Sequence, residues 1–300
     1  MKLRDVLKEM DPVLQFKMLD ERSFDCLALV ASDLKETNCI FLDGLKYKKL
    51  IKPNVSMILT TEELMGELRS EQYGLCILEK PRLVFFKLHN YLSYKEGYKR
   101  KTFKTTIGKN CKISPQACLS KTNVKIGDNV VIEEFVSIRE NTVIGDNCII
   151  RMGTKIGGQG FEFKQIPGAL MAVEHSGGVI IGNNVELQQN NCVDKAIYPW
   201  DNTTIDDYSK TDNFVHIAHG VKVGKRVRIA ASAMVAGRVI IHDDVWIGPS
   251  AAIINGIELG TKANISLGSV VTQDVKANQK VTGNFAIDHK RYIEFLKSIR

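Results

Sequence analysis

The chain has 300 residues, 44% of them hydrophobic and 25% charged, a balance that supports a packed core and excludes disorder or a collagen-like rod. Its net charge of +7 is a mild basic surplus that fits an anionic small molecule or an acidic carrier protein better than a nucleic-acid groove, and fits simple solubility equally well. Seven cysteines without a CxxC pair read as reduced thiols, indicating neither a disulfide framework nor a zinc cluster.

The opening stretch MKLRDVLKEMD turns charged before a signal-peptide core forms, and no apolar run approaches the ~18 residues of a membrane span. A cytoplasmic protein without a transmembrane segment is expected. Residues 1–100 show a helical start (LRDVLKEM), strand-like runs (NCIFLDG, VSMILTT) and a second helical run (LVFFKLHNYL), which predict a small α/β domain. The lysine-rich SYKEGYKRKTFK that follows reads as a linker.

From residue 101 to 282 the period changes. An aliphatic residue recurs every sixth position, from Ile126 through Ile132, Ile138, Ile144 and Ile150 to Ile156, and from Ile205 to Val271 with Thr211 as the one exception. Four residues after each aliphatic stands a second small or β-branched residue, as at Val215, Val221, Val227 and Ala233. Two inward positions in six fit neither the 3.6 period of a helix nor simple strand alternation. About 24 such hexads make about eight three-sided coils, roughly 38 Å tall at ~4.8 Å per coil. Glycine often follows the aliphatic directly (Gly127, Gly145, Gly182, Gly224), where a sharp bend is expected. The expected fold is mainly β: a parallel β-helix of hexapeptide type, with the N-terminal α/β domain in front and a short C-terminal helix over 283–300. Likeness to known hexapeptide proteins implies left-handed winding. Residues 157–178 break the period and are expected to loop out. In the last segment, Ile287, Tyr292, Ile293 and Phe295 or Leu296 are expected to cap the prism's open end.

In such a prism the inward side chains make the fold, so chemistry must lie outside. His219 lies two positions after Ile217 in the phrase TDNFVHIAHG. With 18 residues per coil, Asp201 and Gly237 stack on it. A neutral imidazole can accept a proton from an attacking amine or hydroxyl, and a carboxylate on its other nitrogen fixes the tautomer. A glycine N–H one coil away can face a developing oxyanion. Taken singly, the three also read as a solvated histidine, a loop aspartate after Trp200 and a corner glycine. A zinc site needs several histidines from adjacent coils, but the same arithmetic puts Tyr198 and Met234 beside His216, so no metal is expected.

These motifs resemble, over nearly the whole chain, those of the UDP-3-O-acylglucosamine N-acyltransferase family. The phrase DNFVHIAHG matches its catalytic segment, and GGQGFEF, VIIGNNVEL and WDNTTI fall where the family has counterparts. The resemblance implies His219 as general base, Asp201 as its partner and Gly237 as oxyanion donor, with Asn213 and His216 as substrate-binding residues. FLDGLKY matches the family's base-gripping segment, with Phe41 and Tyr47 on the aromatic positions. Gly44 replaces an asparagine that contacts the nucleotide, and Asp43 is the candidate substitute, with uracil or thymine as the base. Gly256 stands where many members have a second functional histidine, and the C-terminal extension is short. The resemblance therefore implies a homotrimer that joins an acyl group from acyl-coenzyme A or an acyl carrier protein to a UDP- or dTDP-linked amino sugar, without a permanently bound cofactor, for lipid A or another surface polysaccharide. Two other classes stay open: a hexapeptide carbonic anhydrase-like metalloenzyme and a non-catalytic nucleotide-sugar-binding trimer.

Overall fold

A computed structural model describes residues 1–68, 71–283 and 286–299. The chain forms two compact units. One comprises Met1–Thr102, Gln159–Gly178 and Ala196–Asn202, and the other Phe103–Gly158, Val179–Lys195 and Thr203–Arg300.

In the first unit, helix α1 (Leu3–Met10) buries Leu3 and Leu7, one turn apart on a single face. Strands β1 (Lys17–Leu19), β2 (Cys26–Leu27), β3 (Asn38–Phe41), β4 (Val55–Thr60) and β5 (Gly74–Ile77) form a sheet in the order β1-β5-β4-β3-β2. Only β1 runs antiparallel to its neighbour. After α2 (Glu62–Leu68), helix α3 (Pro81–Leu92) starts at a proline whose missing N–H costs nothing in the first turn, and it buries Val84, Phe85, Leu88 and Leu92 at helical spacing.

The excursion leaves the prism and is ordered: Phe163–Ile166 and Ala169–Ala172 pair as an antiparallel hairpin, and Val173 joins the first unit's hydrophobic core with Ile197 and Tyr198. The lysine-rich stretch contains the division between the units, after Thr102, and is held by specific bonds. The Tyr98 hydroxyl is 2.9 Å from His89 Nδ1 in the core. Arg100 donates to the Pro199 and Asp201 carbonyls, each at 2.7 Å, and to Asn202 Oδ1 at 2.8 Å. Those bonds occupy the guanidinium and remove the freedom that its composition suggests.

The second unit is the hexapeptide prism, built from three parallel sheets whose two- to four-residue strands recur once per coil. The inward aliphatics stack in columns: Ile113, Ile132, Ile150, Leu187, Thr211, Ile229, Ile247, Ile265 and Val281 follow one another through the paired strands of one sheet. Thr211 is the one hydroxyl in this column, and its Oγ1 is buried without a hydrogen-bond partner.

The corner glycines have a different cause from the bend expected of them. The left-handed residue lies two positions later, at Asn147 after Gly145, Asn184 after Gly182 and Arg226 after Gly224, with φ of 58°, 58° and 56°. The glycines instead make room for the next coil. A Cβ on Gly145 or Gly182 would lie 2.6 Å from Asn183 Oδ1 or Asp207 Oδ1. Those oxygens accept backbone N–H bonds from the coil before, Asp146 N to Asn183 at 2.8 Å and Asn183 N to Asp207 at 2.6 Å, so a ladder of Asp and Asn runs down this corner.

Helix α4 (His289–Ser298) forms where expected and is capped by Asp288, whose Oδ1 accepts from Lys290 N and Arg291 N. Among the described residues its expected capping side chains are not buried: Ile287, Tyr292 and Phe295 are exposed, and Ile293 and Leu296 are only half-buried.

Candidate active site

His219 sits at a corner of the prism, directly after the strand His216–Ile217, and is buried to 8% exposure. The main chain holds this corner from both sides. Arg238 N donates to the His219 carbonyl at 2.9 Å, and Gly220 N donates to Thr203 Oγ1 at 2.9 Å. The Thr203 hydroxyl in turn donates to the Asp194 carbonyl at 2.6 Å, tying the histidine corner to the end of an adjacent strand.

Gly237 lies under the His219 ring, as the one-coil step requires. A Cβ there would come within 2.6 Å of His219 Cε1 and 2.7 Å of Nε2, so only glycine accommodates the imidazole where it stands. Among the described residues the Gly237 N–H donates to no acceptor, whereas its carbonyl accepts from Gly256 N at 3.0 Å. Gly256 has a φ of 73° and open space around its missing Cβ.

His216 has a partner that the coil arithmetic missed. Its Nε2 lies 3.0 Å from Asp194 Oδ2, with the imidazole side chain 42% exposed and the carboxylate side chain 14% exposed. That hydrogen bond pushes the His216 pKa above the ordinary histidine value, against the opposing effect of burial. Counting 18 residues back from His216 reaches Tyr198, but the strand that pairs with His216 carries Cys192. The step from Cys192 to His216 is 24 residues, six more than a regular coil, and residues 196–202 lie outside the prism. The interruption was visible in the sequence: the aliphatic step from Val193 lands on Pro199 before resuming at Ile205.

Asn213 is committed to the corner ladder, its Oδ1 accepting from Gln189 N at 3.0 Å. Asp201 falls in the 196–202 segment counted with the first unit. There its carbonyl accepts from Arg100 and from Gly178 N, and its Oδ1 accepts from Asn202 N at 2.8 Å.

Also within the first unit, Phe41 ends β3 with its ring 5.0 Å from Phe85 and 6.0 Å from Phe86. Arg82, in the first turn of α3, bonds Asp43 Oδ2 through Nε at 2.9 Å and places its guanidinium carbon 5.3 Å from the Phe41 ring centre. Asp43 is thus one half of an ion pair. Tyr47 lies in a 3₁₀ turn (Leu45–Leu50) with the Lys46 ammonium 4.8 Å from its ring centre, and the space beside Gly44 is open.

Among the described residues no three His, Cys, Asp or Glu side chains group as a metal-binding cluster, all seven cysteines are free, and no helix is long and apolar enough to cross a membrane.

Comparison with known proteins agrees with the prism. Residues 123–158 and 202–237 match the family Bacterial transferase hexapeptide (six repeats), and residues 238–273 match Hexapeptide repeat of succinyl-transferase. The chain is 37% identical over 166 residues to UDP-3-O-acylglucosamine N-acyltransferase 2 of Legionella pneumophila, covering 54% of this chain and 48% of the relative. It is 35% identical over 136 residues to UDP-3-O-acylglucosamine N-acyltransferase of Delftia acidovorans, covering 45% and 40%. The chain thus spans about half the length of the curated relatives it matches. Among solved structures it is similar to the UDP-N-acetylglucosamine acyltransferase from Campylobacter jejuni, with a TM-score of 0.54 and 23% identity over 65% of this chain and 79% of that one. That of Francisella novicida gives 0.51 and 24% over 60% and 65%. The fold is the left-handed parallel β-helix of these acyltransferases, and the resemblance to the UDP-3-O-acylglucosamine N-acyltransferases rests on both motifs and overall similarity.

Proposed function

We propose that the chain is an N-acyltransferase that moves an acyl group from a thioester, on coenzyme A or an acyl carrier protein, to the amine of a UDP- or dTDP-linked amino sugar. The observation that carries this reading is the corner where the His219 imidazole lies on Gly237: a proton acceptor and an unused N–H donor stand side by side on a rigid strand end. The sugar amine attacks the thioester carbonyl. His219 accepts the amine proton, and Gly237 N–H stabilises the tetrahedral oxyanion, a donor of a kind worth about 3 kcal/mol. The C–S bond then breaks and the thiol departs, leaving an amide.

In this reading Asp201 is the carboxylate that orients His219, on the strength of the sequence motif. Phe41 and Tyr47 grip the pyrimidine base, with Asp43 beside them, and Asn213 and His216 contribute to substrate binding. We place the enzyme in the cytoplasm as a homotrimer, with active sites in the clefts between prisms and products bound for lipid A or another surface polysaccharide.

The test is a mass-spectrometric screen of UDP- and dTDP-amino sugars crossed with short acyl-coenzyme A and long-chain acyl-carrier thioesters. One productive pair is expected, together with a His219→Ala variant that loses turnover while keeping nucleotide affinity. Undiminished turnover in that variant refutes the assignment, because a base used only in the chemical step must affect kcat.

A further inference from the structure

The reaction proposed above needs two proton transfers, one from the amine and one to the departing sulfur, and His219 makes the first. An alkyl thiol is a weak acid, with a pKa of about 8.5 for free cysteine, so its departure is faster when it is protonated as the C–S bond breaks. We infer that Asp194 and His216, on successive coils of the prism, form a second acid/base dyad beside His219, with His216 as the general acid for the departing sulfur and Asp194 as its positioning residue. The inference rests on the acyl-transfer reading.

Geometry carries the argument. Asp194 is a carboxylate largely removed from water whose only side-chain partner among the described residues is His216 Nε2 at 3.0 Å. A carboxylate so placed favours a cation opposite it. With Nε2 held by Asp194, the exchangeable proton sits on Nδ1, which has no hydrogen-bond partner among the described residues. The ring itself is 42% exposed, so Nδ1 can meet a substrate that a fully buried histidine could not. Only Ile217 and Ala218 separate the two histidines, and three residues of extended chain span at most about 10 Å. This separation lets the rings approach one thioester from its amine side and its sulfur side.

The neighbours of His216 within the prism do not compete for this role. Across the sheet it lies between Cys192 and Met234. Met234 carries no charge. The Cys192 thiol is pushed up first by burial and then by Asp194, so it stays protonated and offers no thiolate to the imidazole, and Lys155 stands one strand further away beside Cys192.

The step balances. As the C–N bond forms, the amine proton passes to His219. As the C–S bond breaks, the electron pair goes to sulfur, which takes the Nδ1 proton of the His216 imidazolium. His216 is left neutral, with Nε2–H still on Asp194, and solvent returns its proton and removes the one on His219.

The test compares two donors of one acyl group, an alkyl thioester and an aryl thioester whose more acidic thiol leaves without assistance. For His216→Gln, transfer from the alkyl donor should fall about 100-fold or more while transfer from the aryl donor falls less than about tenfold. The ratio is measured within one preparation, so partial unfolding cancels. Asp194→Asn should shift the alkaline limb of kcat with the alkyl donor to lower pH, because the general acid is lost as pH rises through a His216 pKa no longer held up by the carboxylate. Equal losses with both donors, or an unmoved alkaline limb, overturn the dyad. A wild-type chain inert toward both donors overturns the acyl-transfer reading itself and this inference with it.

Discussion

Replacing Gly237 by alanine separates a packing role for this glycine from a catalytic one. The new Cβ would sit 2.6 Å from His219 Cε1 and 2.7 Å from Nε2. Ordinary carbon contacts begin at about 3.5 Å, so the ring must retreat by about 1 Å. The backbone does not object, because Gly237 is not among the glycines with positive φ. An alanine in compatible backbone even gains a few tenths of a kcal/mol through the unfolded chain, and the net change in stability should stay within about 1 kcal/mol. Catalysis should not be spared. A displacement of about 1 Å at the reacting group costs roughly 100-fold, or about 2.7 kcal/mol of transition-state stabilisation. Gly268→Ala is the matching control: its φ of 63° makes alanine cost about 1–2 kcal/mol of stability, but no atom lies within 4 Å of the new Cβ, so the folded fraction should keep full activity. Initial rates of acyl transfer and urea unfolding of both variants decide the matter. Gly237→Ala within about fivefold of wild-type turnover would refute the claim that the imidazole works from where this glycine lets it lie.

Three further outcomes follow from interior and corner groups. His89, fully buried between the Tyr98 hydroxyl and the Glu174 carbonyl, has its pKa lowered to about 4, chiefly by burial. Stability from the neutral ring is present above pH 6.5 and lost as pH falls through 4, in total about 3 kcal/mol, so urea unfolding followed at Trp200 in a Trp246→Phe background should weaken steeply over that window and far less in His89→Gln. Thr211→Val removes a buried hydroxyl that has no partner and should stabilise the prism by about 1 kcal/mol, read from unfolding at Trp246. Gly224→Ala would set a Cβ 2.7 Å from Asp243 Oδ1 and 2.9 Å from its backbone N, and should lower the urea midpoint by the equivalent of about 1–3 kcal/mol, whereas an unchanged midpoint would mean that the coils can slide apart at this corner.

The prism was legible because its inward columns leave no choice. Each coil offers the same narrow interior, so Ile229, Ile247 and Ile265 must repeat in step, and a repeat survives in a sequence without any knowledge of what surrounds it. Helices α1 and α3 were readable for a similar reason, each showing one apolar stripe at helical spacing. How the excursion and the lysine-rich stretch are held was not legible, because the anchors are specific contacts, the 163–166 hairpin pairing and Val173 in the one, Arg100 to three oxygens and Tyr98 to His89 in the other, and composition does not record which residue finds a partner. The corner glycines misled differently. Their position was right and their cause was not, since crowding from the next coil leaves the same mark on a sequence as a strained backbone angle.

The site divides along the same line. Gly237 could be found from His219 by adding 18 because no insertion intervenes above that corner. Below it the coil holds 24 residues at His216, paired with Cys192, yet returns to 18 by Lys222, paired with Thr204. A constant step therefore fails beside the proposed site. The chain leaves the prism after Lys195 and rejoins it at Thr203, so that Asp194 is the last strand residue before the departure. The position after an inward residue is polar on regular coils as well, as at Glu133, Arg151 and Asp206, and His242 meets Glu258 across two such coils. What the insertion changes is the register, because it sets Asp194, rather than the residue 18 positions back, beside His216.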